Sequence, residues 1–298
     1  MKNSLFGTLV LALVVSAGCE DVTETDGGTD TGVSDTGVSD TGVSDSGGGD
    51  AATDTGTPTC DLSAGEERRI GGTTAGGRFS PGSDQIAIVT FEGFSATGLE
   101  VLDLCGDSVS EIATGDSPRP YIAWSSDAAT LYYSNADGVS MVPAAGGTPA
   151  AVVADARSMD LSPDGTTIVY ADGGDLFTWD IAGGAATDLT QRGTFPRYNA
   201  EGTLIAFADG GMLRVLTVSD GTIADITSLD SAAFQPLDWF SNGDLAIVSS
   251  TGIERVDMSG TVTNIATVSA AQDIDISPDD STLAYRINGM LPTILLGL

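Results

Sequence analysis

From residue 62 onward the chain alternates short apolar runs with clusters of turn residues. One set of β-branched and aromatic runs covers Ile86 to Phe91, Leu131 to Tyr133, Thr166 to Tyr170, Leu204 to Phe207, Leu245 to Val248 and Leu283 to Ile287. A second set follows at Leu99 to Leu104, Val139 to Val142, Leu176 to Ile181, Leu213 to Val218 and Ile253 to Asp257. Glycine-rich turns then lead to weaker runs such as Ala185 to Leu189 and Thr222 to Ile226. Runs this short, bounded this way, predict strands. Several are apolar on both faces, which suits sheets covered on both sides.

The strands fall into a repeating unit. Its landmarks are Phe79-Ser80-Pro81-Gly82, Trp124-Ser125-Ser126-Asp127, Leu161-Ser162-Pro163-Asp164-Gly165, Tyr198-Asn199-Ala200-Glu201-Gly202, Phe240-Ser241-Asn242-Gly243 and Ile276-Ser277-Pro278-Asp279. Taking Ser80, Ser125, Ser162, Asn199, Ser241 and Ser277 as registers, the steps are 45, 37, 37, 42 and 36 residues. That spacing fits four short strands per repeat and predicts an all-β, six-bladed propeller. The Ser-Pro-Asp-Gly turn at 162–165, followed by Ile168 to Ala171 and Leu176 to Asp180, resembles the WD-type repeat of the TolB-like propeller family. The resemblance spans residues 62–298. It implies a binding module of the cell envelope, though propellers host many activities.

The last unit begins at Asp273 and has room for three strands before Leu298. Glu67 to Gly71 reads as a stray fourth strand. The N-terminal strand is therefore expected to complete the sixth blade and close the ring. Cys60 precedes that strand, and Cys105 sits in the turn between the third and fourth strands of blade one. In an oxidising compartment the two are expected to form a disulfide across the closure seam.

Upstream, Lys2 and the apolar stretch from Leu5 to Val15 form a signal peptide, too short to span a bilayer. Ser16-Ala17-Gly18-Cys19 resembles the lipobox of bacterial lipoproteins, which implies cleavage after residue 18 and acylation of Cys19. Several acyl chains then anchor the protein stably to a membrane. Residues 19–61 carry three copies of Thr-Gly-Val-Ser-Asp and, between Glu20 and Asp61, 11 acids and no bases. Such a stretch cannot bury enough apolar surface to offset its ordering entropy, so a disordered, self-repelling tether is expected. Its end-to-end distance is roughly 35 Å, and on the order of 140 Å when stretched. The five-residue Asp period does not match a calcium loop.

Charge narrows the partners. The chain has 298 residues, 42 acidic against 11 basic, with no histidine and a net charge of −31. A polyanion of this kind repels nucleic acid, and bilayer contact is expected through the acyl anchor only. Without His there is no Ser-His or Cys-His nucleophile and no His metal site. With Lys2 as the only lysine, the mature chain also lacks Schiff-base and Ser-Lys chemistry. No cofactor or metal is expected. Carboxylate chemistry stays open, because Asp is abundant.

Two residues before each register lie Arg78, Ala123, Asp160, Arg197, Trp239 and Asp275. If these line a channel, Asp160 can pair with Arg197 and Asp275 with Arg78. The loops entering the innermost strands, Pro118-Arg119-Pro120-Tyr121, Phe195-Pro196-Arg197 and Gln235-Pro236-Leu237, are proline-stiffened and carry arginine and aromatics. Those residue types favour a binding rim that includes Arg119, Tyr121 and Arg197. The sequence thus points to a monomeric, non-enzymatic lipoprotein of the outer membrane, facing the periplasm or the cell surface. Its expected partner is an envelope protein or a peptidoglycan-associated one. A glycoside hydrolase or lyase using channel carboxylates, and a surface-displayed structural or adhesive protein, are the alternatives.

Overall fold

The computed structural model describes residues 62–93, 95–106, 108–230, 237–287 and 292–298. Cys19, the tether and Cys60 lie outside the described residues, as do Gln235 and Pro236. The described residues form 24 strands in six antiparallel four-stranded sheets, with no helix.

The blades follow the chain. Strand β1 (Glu67–Ile70) stands apart, and blade one is β2 (Thr74–Phe79), β3 (Gln85–Glu92), β4 (Ser95–Asp103) and β5 (Val109–Thr114). Blade two is β6 (Ile122–Trp124), β7 (Thr130–Ser134), β8 (Gly138–Pro143) and β9 (Ala150–Ala154). Blade three is β10 (Ser158–Leu161), β11 (Thr167–Asp172), β12 (Asp175–Asp180) and β13 (Ala185–Arg192). Blade four is β14 (Thr194–Tyr198), β15 (Leu204–Asp209), β16 (Met212–Thr217) and β17 (Ile223–Ser228). Blade five is β18 (Leu237–Trp239), β19 (Leu245–Val248), β20 (Ile253–Val256) and β21 (Val262–Ala266). Blade six is β22 (Ala271–Ile276), β23 (Thr282–Ile287) and β24 (Thr293–Gly297), completed by β1.

The closure is an antiparallel ladder from Glu67↔Leu296 to Ile70↔Thr293. Just ahead of it the Gly65 N–H donates to the Gly297 carbonyl, and the Gly297 N–H donates to the Glu66 carbonyl, both at 2.9 Å. Gly297 is required here, because a Cβ would lie 2.2 Å from the Ser63 carbonyl oxygen.

The period-two pattern of the second strands explains the ring. In β3, Ala87 and Val89 pack toward blade two while Ile86 and Ile88 pack toward blade six. In β11, Ile168 and Tyr170 face blade two while Val169 and Ala171 face blade four. In β19, Leu245 and Ile247 face blade four while Ala246 and Val248 face blade six. Successive side chains point to opposite faces of a strand. A run apolar at every position therefore feeds two interfaces at once. The result is six separate hydrophobic clusters, one per blade junction.

The Ser-Pro-Asp-Gly turns are held by their own side chains. In blade three the Ser162 hydroxyl donates to Asp164 Oδ1 at 2.6 Å and accepts from the Thr167 N–H at 2.9 Å. Ser125 with Asp127 and Ser277 with Asp279 repeat the arrangement at 2.6 Å. Most of the turn aspartates are thus engaged as local caps, the role expected of Asp at such positions. These turns and the β4–β5, β12–β13 and β16–β17 turns share one end of the propeller. The segments entering the innermost strands share the other.

Candidate functional site

One position from each innermost strand faces the channel. It is Arg78, Ala123, Asp160, Arg197, Asp238 and Asp275, paired with Ala87, Tyr132, Val169, Ala206, Ala246 and Ala284. This corrects one sequence assignment. Trp239 is not the equivalent residue in blade five; Asp238 is. The first turn of that blade is one residue short. The Phe240 N–H bonds to the carbonyl four residues on, at Asp244, whereas Ser80, Ser125, Ser162, Asn199 and Ser277 bond five residues on. Counting back from Ser241 therefore lands one residue late.

The channel charges form a connected set. Arg78 Nη1 lies 2.5 Å from Asp275 Oδ1 and 3.2 Å from Asp238 Oδ1, and Arg78 Nη2 lies 3.4 Å from Asp160 Oδ1. Arg197 Nη1 lies 3.3 Å from Asp160 Oδ1. Both expected pairs are present, and Arg78 reaches across the channel to two further carboxylates. Each aspartate uses its other oxygen to accept a backbone N–H from the next blade. Asp160 Oδ2 takes that of Tyr198, Asp238 Oδ2 that of Ile276 and Asp275 Oδ2 that of Phe79, at 2.8–2.9 Å. Where the channel residue is arginine, the next blade contributes an indole instead. Trp124 Nε1 donates to the Arg78 carbonyl at 2.9 Å, and Trp239 Nε1 donates to the Arg197 carbonyl at 3.0 Å.

Electrostatics follow from the count of two guanidiniums against three carboxylates in a buried space. Burial works against the charge of Arg78, yet Asp275, Asp238 and Asp160 hold it well above its ordinary range. Burial pushes the Asp275 carboxyl up to about 7; Asp238 adds to the rise, and Arg78 and Arg197 oppose it. This is the behaviour of a surplus carboxyl in a low-dielectric site.

The channel opens at both ends. At the turn end a funnel of about 330 Å³ has Arg78, Asp160, Asp238 and Asp275 on its floor and Trp124, Tyr198 and Trp239 among its walls. At the opposite end a narrower, more enclosed hollow of about 20 Å³ is lined by Pro120, Tyr121, Phe195, Pro196, Arg197 and Asp273, among others. Here the structure joins two of the three loops singled out in the sequence with Leu237, the described residue of the third. The Tyr121 and Phe195 rings lie 5.9 Å apart at 39°. Burial pushes the Tyr121 hydroxyl up to about 12; Asp273 adds to this, and Arg197 and Arg119 oppose it.

This second mouth is shaped by bulges. The ladder slips just ahead of Arg78, Arg197 and Asp275. At those slips Gly76, Phe195 and Asp273 take φ values of 65°, 55° and 51°. Bulges of this kind re-aim side chains. Gly76 is doubly constrained, since a Cβ would meet Pro120 Cβ at 2.8 Å. Phe195 and Asp273 hold the same backbone without that freedom, a strain of about 1–2 kcal/mol each. Asp273 is braced by Arg286, at 2.7 Å in the ion pair. Arg119 and Arg157 enter at this end, and among the described residues neither guanidinium makes an ion pair or hydrogen bond. Sequence reading missed Arg157, whose signal was its place directly before β10, as Arg119 lies just before β6.

Cys105 is disulfide-bonded. Its expected partner, Cys60, lies outside the described residues. Among those residues there is no group of three or more His, Cys, Asp or Glu able to hold a metal ion.

No family model matches the chain, and no curated protein matches it in sequence. Solved structures do match. TolB from Acinetobacter baumannii superposes with a TM-score of 0.57 at 15% identity, over 63% of this chain and 53% of that one. A gluconolactonase from Xanthomonas campestris gives 0.63 at 12% identity, over 77% and 88%. An oligogalacturonate lyase in complex with manganese gives 0.54 at 14% identity, over 78% of both chains. The chain spans about half the length of the first of these. At such identities the likeness is one of fold, and the fold is a TolB-like six-bladed β-propeller.

Proposed function

We propose that this chain is a lipid-anchored envelope protein whose propeller works as a non-enzymatic docking module. The docking face is the mouth formed by Arg119, Tyr121, Arg157 and Phe195. One observation carries this reading: an aromatic pair, Tyr121 and Phe195, the latter on a bulge with positive φ, lines a mouth whose entering segments bring in two arginines without bonded partners among the described residues. In a chain with four times as many acids as bases, arginines left unsatisfied at one mouth are conspicuous. Arginine and aromatic side chains supply much of the binding energy at protein interfaces. Backbone strain kept at one edge of a channel is a common companion of function. The partner fitting this chemistry is an acidic, extended segment of another envelope protein, placed either in the periplasm or at the cell surface.

The test is photo-crosslinking from position 119 in cells, with partner identification. Arg119→Ala combined with Arg157→Ala should lower partner capture at least tenfold while lowering the melting temperature by no more than a few degrees, since Arg157 is exposed and the half-buried Arg119 side chain makes no hydrogen bond or ion pair among the described residues. Undiminished capture would sink the proposal.

The catalytic alternative draws on the gluconolactonase and lyase likenesses. Glycosidase chemistry needs two carboxylates facing a substrate bond with open space between them. Here the Arg78 guanidinium lies between all three channel carboxylates. That arrangement favours docking over catalysis. Saccharide hydrolysis or lyase activity abolished by Asp160→Asn or Asp238→Asn would reverse the preference.

A further inference from the structure

The funnel at the turn end has a chemistry of its own, at the opposite end of the channel from the docking mouth. Its volume of about 330 Å³ lies in the range of small-molecule pockets. One residue on from each channel position stand Phe79, Trp124, Leu161, Tyr198, Trp239 and Ile276, and all six line it. Four of these are aromatic, so π-faces ring the charged floor. Both indoles are pinned by donating their N–H to a backbone carbonyl, which fixes the rings as walls. The charge is negative at two levels. On the floor three carboxylates face two guanidiniums. At the rim each blade's first turn carries a carboxylate: Asp84, Asp127, Asp164, Glu201, Asp244 and Asp279. Among the described residues only Asp244 of these six is in an ion pair, with Arg255. A separate observation points to a ligand. Tyr198 lines the funnel and is 8% exposed, yet its hydroxyl makes no hydrogen bond among the described residues. Burial first, then the carboxylates of Asp160 and Asp164, push that hydroxyl above the ordinary tyrosine range, so it stays a neutral phenol. Its oxygen is open to an N–H donor.

We propose that the funnel binds a small organic cation, an alkylammonium ion, held by the rings of Trp124, Tyr198 and Trp239 and by the surplus negative charge of the floor. A cation over an aromatic face is attracted by the ring quadrupole, most strongly over indole. The carboxylates of the rim raise the local concentration of cations. Arg78 does not reverse this, because the three aspartates around it outnumber it and Arg197 together. An anion meets net negative charge at both levels, and a neutral molecule gains nothing from either. The alkyl groups of the ligand match the apolar side chains of Leu161 and Ile276 on the same wall.

The experiment is calorimetric titration of the full chain at about pH 8, above the Asp275 value of about 7, so that the floor carries its surplus charge. Potassium chloride keeps the total salt constant, so that diffuse attraction of any cation to an acidic chain cancels. Tetramethylammonium should bind saturably with a millimolar or tighter constant, whereas tert-butanol, a neutral molecule of similar shape, and glucose should not. Trp124→Leu and Trp239→Leu should each weaken binding about fivefold or more. Asp238→Asn keeps an oxygen for the Ile276 N–H but removes the surplus charge, and should weaken binding about tenfold. Tyr198→Phe should weaken methylammonium, which has N–H groups to donate, about threefold or more and leave tetramethylammonium unchanged. Binding no better than that of potassium overturns the proposal, as does equal binding of tert-butanol or glucose. Tetramethylammonium binding indifferent to both Asp238→Asn and a folded Trp239→Leu overturns it too. Where the leucine variants do not fold, Trp124→Phe and Trp239→Phe replace them, and unweakened binding by both counts against the site.

Discussion

At the scale of single residues, the channel and the surface aspartates pull stability in opposite directions with pH. Asp275 has a folded pKa raised to about 7 by burial. Its stabilising protonated form is complete below the ordinary carboxylate range and is lost as pH rises through about 7. Asp127 and Asp164 are held low by the Ser125 and Ser162 hydroxyls first and by turn N–H groups next. Their contribution is present above the ordinary range and is lost as pH falls through their folded values. The two effects together predict a thermal optimum on the acid side, at about pH 4. Asp275→Asn keeps an oxygen for the Phe79 N–H but cannot ionise. Melting curves should show the wild type losing stability relative to this variant between about pH 4 and pH 7; parallel curves across that range would refute the assignment. Of this site, the arginine and aspartate positions in blades one, three, four and six could be read from the Ser registers. Asp238 could not, because one residue missing from a turn is invisible to fixed counting. The better guide was local pattern: Leu237-Asp238-Trp239 has the apolar–Asp–apolar form of Met159-Asp160-Leu161 and Ile274-Asp275-Ile276.

At the scale of elements, the strands were legible because the period-two pattern is set by packing on both faces. The second strand of blade five was expected at Leu245 to Val248 and has those bounds. Outer strands such as β13 were less legible. It extends to Arg192, three residues beyond the apolar run, and its exposed face imposes no hydrophobic pattern. The bulges were not legible at all, since they appear only when two strands are placed side by side. The closing strand β1 was expected from the residue count of the last unit together with the strand-like reading of Glu67 to Gly71. It contributes one buried side chain, Ile70, to the junction of blades six and one. Ile70→Ala should cost about 2–4 kcal/mol in denaturant unfolding. Gly297→Ala should destabilise as well, because its methyl group would press on the Ser63 carbonyl. If Gly297→Ala melts like the wild type, the tight seal at that strand end is wrong.

At the scale of the molecule, six similar sheets make a ring whose stability depends on every junction. No central core exists to compensate for a weak one, so the closure seam has the same standing as the other five. Cys105 lies in the turn beside that seam, on blade one. We propose Cys60 as its partner, which would fasten the segment leading into β1 to the first blade. Reduction should then lower unfolding free energy by about 3–4 kcal/mol in the loop-entropy account. Peptide mapping under non-reducing conditions should recover a 60–105 link. Recovery of Cys105 with another partner would exclude that fastening but not the ring.

The ring is sealed by its first strand, so under the anchor and tether proposed for the preceding residues mechanical load would have a defined path. A pull exerted through residues 20–61 arrives first at Gly65 and Glu66, whose bonds to Gly297 begin the ladder of the sixth sheet. The propeller should therefore yield to force by unzipping β1 from β24 before any complete blade comes away. A cross-link ahead of that strand would divert the load into blade one and spare the seal.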